Sequence, residues 1–327
     1  MTELIPLGTS SAAPTRTRHL AGTALRCEGR VLLFDCGEGT QYQLLHAGVN
    51  RSRIEAIFIT HLHGDHLFGL PGLLSTLSLL RRAAPLTVVA PAGTGAALDA
   101  LPGLSELDLT YPLELVEVPE TFSSGEVYAG DTFTVGARPL EHRVFTVGYR
   151  YEERRRPGRI DAGRARAAGI SETWQFDALR RNETVTLADG AVVTPDGIVG
   201  PGRRGASFAY VLDSRPCPGG RDLARGADIL MHDATFGEEM LDRAIETGHA
   251  TAREAAEVAR DAGAQRLLLT HFSSRYADPA PLVAEARAVF PDTEAAEELR
   301  RYVLDAGDGE RALGVGVAGA AGAGARE

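Results

Sequence analysis

Four potential metal ligands fall within six residues in the stretch His61-Leu-His-Gly-Asp-His66. They follow Ile54-Glu-Ala-Ile-Phe-Ile-Thr60, an apolar, β-branched run too short for a typical helix and suited to a buried strand. Neutral imidazole and carboxylate are donors that zinc and similar borderline cations accept. A strand end followed by a glycine-containing turn aims several side chains at one point. A merely histidine-rich surface loop rarely abuts a buried strand. The chemistry indicated is metal binding.

Further candidates stand at the ends of other strand-like runs. His142 follows Thr132 to Leu140, Asp213 follows Ser207 to Leu212, His232 follows Ile229 to Met231, and His271 follows Gln265 to Thr270. His249 lies just ahead of Thr251 and Glu254, a capping box that opens a helix ending at Gly263. Strand termini along one edge of a layered α/β fold converge, and functional groups collect there. Seven of the nine histidines sit at such junctions, while His19 and His46 fall in a polar loop and a helix and are read as solvent-exposed. Taken singly, His142, His232 or His271 would be an ordinary core or surface histidine, and Asp213 a turn residue. Together they form a ligand set.

Counting ligands gives two ions. His61, His63 and His142 fill three positions on one, Asp65, His66 and His271 fill three on the other, and Asp213 bridges. Zn²⁺ is favoured by this mixture, and Mn²⁺ or iron is compatible. Such a pair, about 3.5–4 Å apart, clamps the attacking and leaving oxygens of an in-line phosphoryl displacement.

The elements that must position these groups alternate along the chain. Leu4–Leu7, Thr23–Cys27 and Arg30–Asp35 read as strands, and Gln41–Ala47 as a helix closed by Gly48. Pro71-Gly72 predicts a turn with a helix beginning only at Leu73. The second half repeats the logic of the first, which predicts an α/β fold of two sheets covered by helices. Residues 1–312 are expected to form one domain, interrupted by a polar, Arg-rich insertion at about 152–179. The Gly/Ala-rich tail at 313–327 is expected to be disordered, because such residues cannot offset the ordering entropy.

Bulk properties exclude other classes. With 44% hydrophobic and 24% charged residues, the chain of 327 is globular in composition and long enough for a sizeable core. Its three cysteines, Cys27, Cys36 and Cys217, show no CxxC spacing, so neither a disulfide framework nor a thiolate zinc site is expected. No basic leader precedes an apolar stretch, and no run reaches the ~18 residues of a membrane span. A cytoplasmic protein without a membrane partner is expected. All cationic side chains are arginine, and the net charge of −10 argues against wholesale coating of nucleic acid, DNA included.

On these residues the chain resembles the metallo-β-lactamase fold, and more narrowly the ribonuclease Z family, over most of Leu4 to Phe290. Leu7-Gly-Thr-Ser, Phe34-Asp-Cys-Gly-Glu-Gly-Thr-Gln41 and Thr60-His-Leu-His-Gly-Asp-His-Leu-Phe-Gly-Leu-Pro-Gly72 match its N-terminal blocks. His232-Asp-Ala-Thr-Phe236, Gly248-His-Ala-Thr-Ala252 and Leu269-Thr-His-Phe-Ser-Ser-Arg-Tyr276 match its later ones. The resemblance implies an αββα sandwich with an inserted flexible arm, holding two zinc ions per subunit. It implies endonucleolytic removal of the 3′ trailer of precursor tRNA, leaving a 3′-hydroxyl. Asp65 is implied as general base besides being a ligand, His249 as the acid that protonates the leaving oxygen, and Asp233 as the group orienting His249. The family further implies a homodimer in which one subunit's arm holds tRNA for the other's site.

Departures from the family pattern bear on substrate more than on chemistry. Asp233 stands where Glu is usual, one methylene shorter, which predicts a looser contact with His249. Ala250 replaces Ser, and Leu212 replaces Gly beside Asp213. The arm lacks a recognisable Gly-Pro tip, and Ser171–Leu179, with Trp174 and Phe176 available for base stacking or internal packing, takes its place. Seven arginines against Glu152, Glu153 and Asp161 lie between Arg150 and Arg166, a local excess suited to phosphate. Arg154, Arg155, Arg156, Arg159, Arg164 and Arg166 are the expected RNA contacts. Two rival readings stand beside this one. A dinuclear phosphodiesterase or ester hydrolase of the same fold could act on small molecules, or an RNA-binding scaffold could carry a dead site, which the complete ligand set disfavours.

Overall fold

The computed structural model describes residues 2–101, 109–155 and 157–306. Arg156 and the 313–327 tail, both subjects of expectations above, lie outside the described residues. The N-terminal half contributes strands β1 (Thr2–Gly8), β2 (Gly22–Cys27), β3 (Arg30–Phe34), β4 (Ile54–Phe58), β5 (Leu86–Pro91) and β6 (Leu113–Val118). Then come β7 (Gly125–Ala129), β8 (Phe133–Leu140), β9 (Thr146–Glu153) and the short β10 (Val185–Thr186) and β11 (Val192–Val193). The last are β12 (Ser207–Val211), β13 (Ile229–Asp233), β14 (Leu267–Thr270), β15 (Thr293–Ala295) and β16 (Tyr302–Leu304).

Two seven-stranded sheets result, ordered β16-β1-β2-β3-β4-β5-β6 and β15-β14-β13-β12-β9-β8-β7. Strands β3 to β6 run parallel to one another, as do β12 to β15. Parallel strands are apolar on both faces because both are covered. In β3, Leu32 and Phe34 enter the layer between the sheets, while Val31 and Leu33 meet the helices outside. Helix residues Leu44, Leu70, Leu73, Leu74 and Leu77 cover the first sheet, and Ala252, Ala255, Ala256 and Ala259 cover the second. The architecture is the αββα sandwich of the metallo-β-lactamase fold.

Aromatic contacts join the sheets at their centre. The Phe34 ring stacks on Phe58 at 5.0 Å and meets Phe208 edge-on at 5.4 Å. Such pairs contribute roughly 0.5–1.5 kcal/mol each beyond their burial. Leu212 also packs into this inter-sheet core, so the bulk added beside Asp213 is accommodated there.

Local expectations differ from the structure in places. The helix expected from Leu73 begins at Leu70 and runs to Leu79, with Pro71 in its first turn. A proline there gives up an N–H that the first turn leaves unpaired in any case. β7 had no expected counterpart, because its half-exposed pattern on the sheet edge carries little apolar signal.

The insertion between β9 and β12 is larger than expected. Its helices, Ala162–Ala167 and Thr173–Arg180, and the β10–β11 ribbon share an apolar cluster of Ala165, Ile170, Ala178, Leu179, Val185, Val193 and Ile198. The last three residues lie beyond 179 and are too widely spaced to give a readable period. The insertion leaves and rejoins the body at one place, since Ser207 pairs with Glu152. Among the described residues, no helix is long and apolar enough to cross a membrane.

Candidate metal centre and active site

One edge of the sandwich gathers the predicted residues. His61 follows β4, Asp213 follows β12, and His271 follows β14, while His142 occupies the turn from β8 to β9. His63, Asp65 and His66 come from the short turn and helix after His61, Asp233 ends β13, and His249 precedes the Ala252–Ala262 helix. Asp35, Asp213 and His271 take left-handed backbone angles with φ of 57°, 47° and 61°. Such angles turn a strand-end side chain out of the pleat and are disfavoured for non-glycine residues, an expense typical of functional sites.

Asp213 lies at the middle of the cluster. Its Oδ2 is 3.5 Å from His61 Nε2 and 3.8 Å from His142 Nε2. Its Oδ1 is 3.2 Å from His66 Nε2 and 3.1 Å from His271 Nε2. His63 Nδ1 completes the first side at 2.9 Å from His61 Nε2. Asp65 Oδ2 completes the second, 3.5 Å from His66 Nε2 and 3.6 Å from His271 Nε2. Each carboxylate oxygen of Asp213 thus faces one of the two groups expected from the sequence. Asp65 Oδ2 also accepts the Ala12 N–H at 2.8 Å.

Hydrogen bonds behind the cluster fix the imidazole tautomers. His66 Nδ1–H donates to Asp35 Oδ2 at 2.8 Å, and His142 Nδ1–H to the Gly248 carbonyl at 2.8 Å. Thr60 Oγ1 gives its single proton to Asp35, so it accepts from His61 Nδ1–H at 3.0 Å. Thr235 Oγ1 donates to Asp233 Oδ1 at 2.7 Å and therefore accepts from His271 Nδ1–H at 3.0 Å. Four Nε2 lone pairs point inward as a result, the arrangement that ligating histidines need. Gly248 is required here: its φ is +74°, and a Cβ would sit 2.9 Å from His142 Nδ1.

Protonation agrees with this wiring at His61, His63 and His142, whereas at His66 burial is outweighed by Asp213 and Asp35, which hold it well above the usual histidine value, so that a cation there displaces a proton. Burial holds His61, His63 and His142 below the usual histidine value, hence neutral and able to ligate. Burial would raise Asp65 and Asp213, but their histidine neighbours hold both well down as carboxylates. His249 is the exception among the unliganded groups. Burial opposes its charge, yet Asp233, accepting from Nδ1 at 2.8 Å, pushes it up to about 9. The shorter Asp233 therefore makes the orienting contact directly, and the looser contact expected from its length is not found. Asp233 also accepts from the Thr235 N–H at 2.8 Å and the Ser214 N–H at 3.3 Å, so both oxygens are committed.

The donor set suits cations. His142 Nε2 and Asp213 Oδ1 are buried without a hydrogen-bond partner, an arrangement costly for the protein alone. Ligand atoms of His61, His63, His142 and Asp213 lie within 4.8 Å of one another, as do those of Asp65, His66 and His271. Asp213, Asp233, His249 and His271 meet the same criterion, but hydrogen bonds already occupy Asp233.

The chain matches the beta-lactamase superfamily domain over residues 30–272. It is 56% identical over 304 residues to Ribonuclease Z of Salinibacter ruber, covering 93% of this chain and 94% of that protein. Ribonuclease BN of Cronobacter sakazakii is 44% identical over 301 residues, covering 90% of this chain and 98% of that protein. The solved structure of human tRNase Z, short form, is 30% identical with a TM-score of 0.68, over 93% of this chain and 99% of that one. The chain belongs to the ribonuclease Z family. It is a hydrolase of the endonuclease type on a metallo-β-lactamase fold, a fold that implies divalent-metal binding, and the His/Asp cluster gathers residues able to hold such an ion.

Membership explains why the family's blocks are spaced as they are. Cys36 N–H donates to the His66 carbonyl, and Gly69 N–H to the Cys36 carbonyl, each at 2.8 Å. A Cβ on Gly69 would lie 2.1 Å from the Gly37 carbonyl oxygen, so the two blocks need glycine where they touch. Sequence reading assigned no role to Asp35, Thr60 or Thr235, although Asp35 stood at a strand end like the ligands. His232 is buried, with its Nδ1 2.8 Å from the Asp233 carbonyl oxygen, and belongs to none of the ligand groups.

The arm arginines divide. Arg154, Arg155 and Arg159 line a cavity of about 790 Å³ at the arm's base, together with Arg180 and Arg203. Arg164 and Arg166 sit exposed on the Ala162–Ala167 helix, Arg164 beside Asp161 at 3.5 Å. Arg150 is committed to the body, donating to the Leu223 and Arg225 carbonyls. Trp174 is 59% exposed, whereas Phe176 packs against the arm's apolar cluster.

Proposed function

We propose that this chain is a zinc-dependent endoribonuclease that removes the 3′ trailer of precursor tRNA and leaves a tRNA 3′-hydroxyl. The observation carrying the reading is the pair of ligand groups on the two sides of Asp213, with His249, hydrogen-bonded to Asp233 at 2.8 Å, beside them. Similarity to proteins named Ribonuclease Z and tRNase Z supports tRNA as the substrate.

His61, His63 and His142 would hold one cation and Asp65, His66 and His271 the other, with Asp213 between; Zn²⁺ suits these donors and Mn²⁺ is an alternative. What two such ions supply when bound is Lewis acidity toward the scissile phosphate and a water of lowered pKa. Asp65, ionised and held by the Ala12 N–H, takes the proton of the attacking water. His249 gives its proton to the departing ribose oxygen, a poor leaving group unless protonated. Asp233 keeps His249 charged and aimed. These roles belong to side chains whose contacts are otherwise satisfied.

The working unit we infer is a homodimer. The arm leaves β9 at Glu153, whereas His142 lies at the other end, before Thr146. An eight-residue strand spans roughly 25 Å, so RNA held on the arm is better placed for a second subunit's centre. Tyr42 and Leu45, exposed on the Thr40–His46 helix, and Leu79 and Leu80 offer apolar surface to a partner copy. Their two helices are joined by a Thr76 to Gln41 hydrogen bond of 2.9 Å. The buried, free thiols of Cys27, Cys36 and Cys217 suit a reducing cytoplasm.

Purified protein given a 3′-extended precursor tRNA should cut once, beside the discriminator nucleotide, and leave a 3′-hydroxyl. Hydrolysis of small diesters with no cut in the RNA would instead favour a small-molecule phosphodiesterase.

A further inference from the structure

We propose that Glu298 is a positioning residue for Asp65, acting through the loop between Thr9 and His19. The loop's two ends meet on this one carboxylate. Glu298 Oε1 accepts from Thr9 N–H at 3.0 Å, Thr9 Oγ1–H at 3.2 Å and His19 N–H at 2.8 Å. Its Oε2 lies 2.7 Å from His19 Nδ1 and accepts from Gln43 Nε2 at 3.1 Å. Five donors on one side chain, only 13% exposed, form a clamp across the loop's neck. A second attachment runs to the chain beside His271, with Ser11 N–H donating to the Phe272 carbonyl at 3.0 Å and Phe272 N–H to the Thr9 carbonyl at 2.8 Å.

What the clamp holds is a strained turn. Ala12, exposed at the loop's crest, has φ of +59°. An alanine keeps this conformation only where its surroundings impose it. The imposed geometry delivers the Ala12 N–H to Asp65 Oδ2 at 2.8 Å, the oxygen that also faces His66 and His271. A backbone donor there fixes which way the carboxylate turns. The proposal rests on Asp65 being the proton acceptor, as read above.

Amide exchange and steady-state kinetics on the full-length protein test it. In Glu298→Ala, the Ala12 amide should exchange about tenfold faster, while Ile57 and Phe58 amides in β4 keep their rates. On bis(4-nitrophenyl) phosphate, kcat should fall about tenfold with KM within about twofold and bound metal unchanged. Glu298→Gln, which keeps one acceptor oxygen, should lie between this variant and the parent. Should Glu298→Ala fail to fold, His19→Ala, removing an exposed side chain, should still quicken Ala12 exchange. Unchanged Ala12 exchange in the folded variants overturns the clamp, and faster exchange with unchanged kcat overturns its link to Asp65. If the parent hydrolyses no diester, the catalytic reading fails, while the exchange data still decide the clamp.

Discussion

Asp35 and Asp233 occupy equivalent stations in the two halves of the molecule. Asp35 accepts from His66 directly and, through the Thr60 hydroxyl, fixes His61. Asp233 accepts from His249 directly and, through the Thr235 hydroxyl, fixes His271. Each buried carboxylate therefore governs two imidazoles, and a hydroxyl with one proton relays its influence to the farther ring.

Thr235→Val should expose that relay. The substitution preserves shape but frees His271 to adopt the other tautomer, with its proton facing the metal centre. Affinity for Zn²⁺ should fall by about 10–100-fold, as for other supporting residues behind metal ligands. Competition with a chromophoric chelator measures this directly, and an unaltered affinity would dismiss the relay.

The rate should lose a proton at high pH. His249 acts protonated, so kcat declines as pH rises through its pKa, near 9 in the protein without cations. Bound divalent ions repel that proton and place the decline at or below this value. In Asp233→Asn, burial acts without its counter-charge, so the descending limb should move to lower pH. A limb that stays in place would remove Asp233 from this role. His249→Ala should keep its metal yet lose about 10²–10⁴-fold in rate; metal loss in that variant would make His249 a ligand.

Stripping the metal should cost both activity and heat resistance. Ions that bind the folded chain alone stabilise it by about 4 kcal/mol at a thousandfold excess over Kd. Chelation should therefore abolish diester hydrolysis and lower Tm, with Zn²⁺ or Mn²⁺ restoring both. Calorimetry showing the same Tm and rate after verified removal would falsify the metal assignment.

Replacing residues 154–206 by a short turn should separate RNA binding from chemistry. The excision is permitted by the pairing of Glu152 with Ser207, which brings the cut ends together. Affinity for tRNA should drop and become less salt-dependent, since each lost phosphate contact removes about 0.7–0.9 from the logarithmic salt slope. Turnover of bis(4-nitrophenyl) phosphate should stay within about twofold. Trp174 is the chain's one tryptophan, so quenching of its emission by tRNA reports on the arm alone. Equal tRNA affinity after excision would reject the arm as an RNA contact.

Much of the centre could be read from the sequence because its residues end apolar runs. A buried strand stops where its side chains meet solvent or chemistry, and His61, Asp213 and His271 mark such stops. Asp35 stood at a similar stop, yet its partner His66 is 31 residues away and reached only through folding. Thr60 and Thr235 are chemically plain, and their role lies in where one proton points. The arm's extent was hidden because Val185, Val193 and Ile198 are closing residues of a small cluster, not members of a periodic face. Which arginines face outward was equally invisible: Arg150 looks like its neighbours in sequence but is spent on backbone carbonyls of the body.

Four of the eight non-glycine residues with left-handed backbone among the described residues are Ala12, Asp35, Asp213 and His271. Each such conformation costs on the order of 1 kcal/mol. At Asp35, glycine would strand the buried Thr60 and His66 donors. At Asp213 or His271 it would relieve that strain while deleting a group the centre needs. A search for heat-tolerant variants scored on melting of the metal-free protein alone would therefore drift toward these positions and return well-folded, inactive chains. Thermostability engineering on this scaffold has to screen turnover alongside melting, because the cheapest gains lie in the peptide units that build the enzyme.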